Sequence, residues 1–167
     1  LHRRLVPLMK MALARPDVET RRRAADAVGQ LAAARIDGLE PLVGPLEAIL
    51  AGTDLNHGER QVLDEQAAVL SLAAARALIR LEARRTAATL LAQSAQRGPA
   101  MAALVDPALA RWDFQPARAL WMARLADSDT PRSLQILAIE ALGTVRHGPA
   151  AERLEKIVLG GGPDAAL

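Results

Sequence analysis

The chain has 167 residues, 51% of them apolar, and a net charge of +2 from 21 basic and 19 acidic residues. That length suits one ordinary domain with a sizeable core, and the apolar fraction excludes a disordered chain. There is no cysteine, which excludes disulfides, thiolate catalysis and Cys-ligated metals and leaves the redox compartment open. The apolar residues are mostly Ala and Leu, with few β-branched side chains. Ala and Leu favour helices, whereas sheets draw on Val, Ile, Tyr, Phe and Trp, so the composition predicts an all-α protein.

In chain order the apolar periodicity and the breakers predict nine helices. They span about 1–13, 17–35, 38–51, 57–81, 83–96, 99–111, 114–126, 131–146 and 149–159. The first, 1–13, has no partner before it. The second opens with Arg21, Arg22 and Arg23, and Arg23 is expected on the side of the core stripe Ala24, Ala27, Val28 and Leu31. Asp37 with Glu40, and Asn56 with Glu59, have capping-box spacing and mark the next two starts. Gly52 and Gly160 suit helix ends. Between Arg76 and Gln93 no strong breaker occurs, and an unbroken helix would be far longer than the average of about 11–12 residues. A tight turn is therefore expected near Leu81 to Arg84. Pro99, Pro131 and Pro149 follow Gly98, Thr130 and Gly148, the arrangement of a proline in a first helical turn. Asp127 and Asp129 flank Ser128 just before a helix, which reads as capping.

The chain also repeats. "RAADAVGQL" from Arg23 returns as "LAIEALGTV" from Leu137, an offset of 114 residues, and "LEAIL" from Leu46 returns as "LEKIV" from Leu154, an offset of 108. Those offsets are three units of about 38 or 36 residues. "AARAL" from Ala74 is a weaker copy, and "AALVDPALA" keeps the apolar content but contains Pro107. Each unit reads as two antiparallel helices, a longer A helix and a shorter B helix.

At "RRRAADAVGQL…LEPLVGPLEAIL" and "PRSLQILAIEALGTVRHGPAAERLEKIV" the chain resembles HEAT repeats of the short bacterial type. The resemblance is good over 17–52 and 130–160, fair over 57–96 and poor over 97–127. It implies an all-α superhelix, a HEAT-like solenoid of about four helix pairs behind a leading helix. It would form one domain over 1–160, with a flexible tail over 161–167. It implies a non-catalytic scaffold that binds a protein partner, with no cofactor and no metal. An alternative is a packing module beside catalytic or redox domains of the same chain. A HEAT-like family of DNA glycosylases uses tryptophans and an aspartate in a basic groove, and Trp112 and Asp113 match that chemistry in residue type. The near-balanced charge argues against it, because DNA binding needs a clustered basic face. A bilin-lyase role has no residue signature here. The start at Leu1 and the end in "LGGGPDAAL" suggest a piece of a longer protein, with any targeting segment outside it.

Candidate chemistry is sparse. His2, His57 and His147 are scattered and form no metal-ligand spacing. No serine stands in a nucleophile elbow, and the glycines at 160–162 lack the Lys-Ser/Thr of a phosphate loop. The longest uncharged apolar stretch, Gln66 to Ala75, is far short of the roughly 20 residues that span a bilayer. Two groups remain as candidate partner-binding residues. Arg76, Arg80 and Arg84 are spaced by four and would form a cationic line on a continuous helix. Trp112, Phe114 and Trp121 are all the aromatics in the chain. Trp121, with Ala117, Leu120 and Leu125, reads as core. Trp112 and Phe114 flank Asp113, the expected cap of the helix from 114, and with Arg118 they stand at an A–B turn, where they staple the turn or present an apolar rim to a partner.

Overall fold

A computed structural model describes residues 2–52, 64–146 and 148. Among these residues every regular element is helical. Eight α-helices follow in order: α1 (His2–Leu13), α2 (Val18–Ala33), α3 (Val43–Ala51), α4 (Asp64–Arg80), α5 (Ala87–Gln96), α6 (Gly98–Arg111), α7 (Ala117–Ala126) and α8 (Arg132–Thr144). Short 3-10 turns at Glu40–Leu42 and Arg84–Thr86 lead into α3 and α5. The all-α expectation is met, and the break expected near Leu81 is there, because α4 stops at Arg80. The helix expected over 149–159, the first residues of the one expected over 57–81, and the caps at Asn56, Pro149 and Gly160 lie outside the described residues.

The chain divides into two compact units, one ending at Val105 and one beginning at Asp106. In the first unit α2 packs on α4, α3 packs on α5, and α3 also packs on α4. The leading helix α1 packs on α2 and α3. Ala25, Val28, Leu42, Leu46, Leu50, Ala74, Ala77, Leu78 and Leu90 are fully buried there. The run of buried alanines on α4 exists because that helix is covered from two sides, and small side chains let both neighbours approach. Gly29 lies in the α2–α4 seam. A methyl placed on it would lie 3.6 Å from the Ala77 Cα and 3.5 Å from the Arg80 guanidinium. In the second unit α7 packs on α8, and Trp121, Leu109, Ala117, Ala138 and Leu142 are buried.

The A helices end alike. In α2 the Arg35 N–H donates to the Ala32 carbonyl and the Ile36 N–H to Leu31, with Arg35 at φ 55°. In α4 Glu82 donates to Ile79 and Ala83 to Leu78, with Glu82 at φ 51°. In α6 Asp113 donates to Ala110 and Phe114 to Leu109, with Asp113 at φ 52°. Arg146 at φ 47° donates to Gly143 at the end of α8. These are Schellman endings, in which a left-handed residue turns the chain and the two N–H groups beyond the helix satisfy its last carbonyls. Glycine normally fills that position, but here a charged residue does each time.

Several local expectations are corrected. Asp37 and Glu40 make no capping box: α3 starts after a 3-10 turn with no side-chain cap, and the Glu40 carboxylate pairs with Arg85 at 2.9 Å instead. Asp17 caps α2, its carboxylate accepting the Thr20 N–H at 2.7 Å. Asp127 closes the α7–α8 turn by accepting from the Asp129 N–H and the Thr130 hydroxyl. On α2 it is Arg21 that turns inward and is buried, while Arg23 is exposed and bonds Glu19. Arg21 precedes the buried Ala24, Ala25 and Val28 by three, four and seven residues, which puts it on their face.

Candidate functional site

The rim residues belong to the second unit. Asp113 is not the cap of α7. Its left-handed backbone ends α6, and α7 begins beyond Pro116 with no side-chain cap. The reason is local: the Schellman bonds use the N–H groups of Asp113 and Phe114 to finish the preceding helix. The freed carboxylate instead accepts from the Arg118 guanidinium at 2.6 Å and from the Gln115 amide at 3.3 Å. Phe114 is half-buried, at the position that Ile36 and Ala83 occupy after their helices. An apolar residue there normally packs back on the last turn of its helix. Trp112, one residue before the turn, is 8% exposed, and Trp121 is fully buried. The structure therefore places Trp112 and Trp121 in the interior. Phe114, Asp113 and Arg118 are left partly open at the turn between α6 and α7.

The arginine line is broken. Arg76 and Arg80 lie on α4, but the turn at Glu82 intervenes and Arg84 lies in the following 3-10 turn. Arg76 reaches Asp26 on α2 at 3.6 Å, and Arg84 lies 3.9 Å from Glu82. Among the described residues Arg80 has no carboxylate within 4 Å, and its stem lies across Gly29. The three side chains thus serve three local environments. They do not form one cationic stripe.

Two features were missed. The first is an ion pair in the interior of the second unit, where Arg124 on α7 donates to Asp106 on α6 at 2.5 Å, both groups buried. Asp106 sits three residues before Leu109, the place that Val28 and Ala75 hold before Leu31 and Leu78. A carboxylate at a core position was the signal. Its partner is 18 residues away on another helix, beyond the reach of spacing arguments.

The second is a cleft of about 380 Å³ at the start of α2 and α4, lined by Asp17, Val18, Glu19, Arg22, Glu65, Gln66 and Val69. Two of its carboxylates are held in the ionised form. Hydrogen bonds from Arg22 and Arg23 hold Glu19 down at about 2, and bonding from Thr20 lowers Asp17. The bond to Glu19 raises Arg22 in return.

Among the described residues no group of three His, Asp or Glu side chains is placed to hold a metal ion, and no helix is long and apolar enough to cross a membrane. Trp112 is interior, and the Asp113 carboxylate is engaged by two side chains. No protein-family model matches the chain, and no curated protein or solved structure matches it either.

Proposed function

We propose that the chain is a HEAT-like solenoid segment that works without catalysis, as a scaffold holding another protein. The recurring A-helix ending supports this reading most. Leu31, Arg35 and Ile36 hold the same three positions as Leu78, Glu82 and Ala83, and as Leu109, Asp113 and Phe114. Units that end identically can stack with a constant step, which a solenoid requires. The packing of α2 on α4 and of α3 on α5 in the first unit is what such stacking produces.

The partner-facing candidates are the side chains that the core leaves open at the turns. In the second unit these are Phe114 and Arg118, and in the first Arg80, Arg84 and Arg76. Trp112 drops out of the binding set because its burial commits it to packing. The test is to place a photo-crosslinking residue at Phe114 or Arg80, and at exposed Ala123 as the control. The same protein adduct from Phe114 or Arg80, absent from Ala123 and lost on Arg118→Ala or Arg84→Ala, supports the scaffold. Equal labelling at all positions, or none, overturns it.

A further inference from the structure

We propose that α5 is a strap that swings out of the first unit on its own, while α2, α3 and α4 stay folded. This goes beyond the scaffold reading and does not rest on it. Two helices of that unit are built alike. Each of α3 and α5 is entered through a three-residue 3-10 turn, Glu40–Leu42 and Arg84–Thr86. Aligned on those turns, the buried positions of one helix are the buried positions of the other. Leu39, Leu42, Val43, Leu46, Ile49 and Leu50 hold α3 in place. Ala83, Thr86, Ala87, Leu90, Gln93 and Ser94 stand at the same places around α5, and all are buried too. Of these six only Leu90 is a large apolar side chain. Apolar area removed from water is what chiefly holds a helix to its neighbours, so α5 is held far more weakly than α3.

Buried polar groups would offset this if they bonded the neighbouring helices. Two of them bond their own segment instead. The Thr86 hydroxyl donates to the Ala83 carbonyl at 2.8 Å, and the Gln93 side-chain carbonyl accepts from the Arg97 guanidinium. Such bonds move with α5 and survive its departure. Thr89 does reach across. Its hydroxyl donates to the Glu47 carboxylate of α3 at 2.7 Å and serves as a latch. Both ends of the segment turn sharply, with Glu82 at φ 51° before it and Gly98 at φ 75° after it. Elements that move when a protein takes up its partner come from the least stable part of a fold. In the first unit α5 is that part.

The chain has no cysteine, so one introduced thiol reports its own site. Ala87→Cys on α5 and Val43→Cys on α3 occupy matching buried positions. In native buffer a thiol reagent should label Ala87→Cys about tenfold faster than Val43→Cys, each rate divided by its value in the unfolded chain. Adding Thr89→Val should release the latch, speeding labelling at Ala87→Cys by about threefold and leaving Val43→Cys unchanged. Amide hydrogen exchange of the unsubstituted chain should show the same order, with α3 protected longer than α5. Equal labelling at the two positions, or equal protection of the two helices, overturns the proposal, because α5 then opens only with the rest of its unit. A labelling rate at Ala87→Cys that Thr89→Val leaves unchanged also overturns it.

Discussion

Trp121 has no exposed surface, Trp112 has little, and Phe114 is half-open, so the three aromatics should separate cleanly under truncation. Trp121→Ala and Trp112→Ala should each cost about 3–5 kcal/mol in urea denaturation, with Phe114→Ala clearly less. If Phe114→Ala costs as much as Trp121→Ala, Phe114 is a core residue and the turn has no apolar contact to offer. At the left-handed turns the strain can be read directly. Arg35 at φ 55° holds a conformation that costs non-glycine residues roughly 1–2 kcal/mol. Arg35→Gly should raise stability by about 0.5–1 kcal/mol after the greater flexibility of unfolded glycine is deducted. A fall in melting temperature would mean that the Arg35 side chain makes a contact worth more than the strain. Glu19 carries a pH signature. Its pKa falls from 4.5 to about 2 on folding. The lowering means that Glu19 stabilises the fold fully above its unfolded pKa and loses that contribution as pH falls towards 2. Glu19→Gln should flatten the acid limb of the stability curve in that window, and an unchanged slope would refute the assignment.

At the scale of elements, the α2–α4 seam has room that the sequence does not show. A Gly–Ala contact in a repeat motif suggests that only glycine fits. Yet a methyl on Gly29 would meet its nearest atoms at ordinary van der Waals distance, 3.5–3.7 Å. Gly29→Ala should therefore leave stability unchanged or raise it by up to about 1 kcal/mol through helix propensity, measured by thermal unfolding. A loss would show that the seam cannot give at all. The α6–α7 pair is the opposite case. Asp106→Ala takes away the buried carboxylate that Arg124 bonds and should cost about 3–5 kcal/mol in urea denaturation, while Asp106→Leu with Arg124→Met should recover most of it. The two cases show what the sequence could convey. The all-helical character, the break after Arg80 and the burial of Trp121 were legible, because each follows from local composition or from a periodic face. The inward Arg21 was legible too, but a charged residue at the head of a basic run reads as solvent-facing unless its spacing to Ala24, Ala25 and Val28 is counted. The role of Asp113 was not legible. An aspartate before a helix looks like an N-cap, and glycine, the usual mark of a left-handed helix end, is absent from all four turns. The salt bridge from Asp106 to Arg124 depends on how two helices meet, which no local pattern carries.

For the whole molecule, the near-balanced charge is a functional statement as well as a compositional one. With a net charge of +2 the chain should show no retardation of duplex DNA at physiological salt. A tight, steeply salt-dependent complex would revive the DNA-repair resemblance in place of the scaffold. The two compact units also differ in a way that has an optical consequence. The first, up to Val105, contains no aromatic residue, and Trp112 and Trp121 both fall in the second. Tryptophan emission is therefore blind to unfolding confined to the first unit, which ends at Val105, whereas the helical signal in the far ultraviolet sums over every turn. One sample, followed by both, becomes two experiments. A core truncation in the first unit, Leu46→Ala, will move the far-ultraviolet transition. Whether the emission follows it shows whether the two units unfold in one transition or in two.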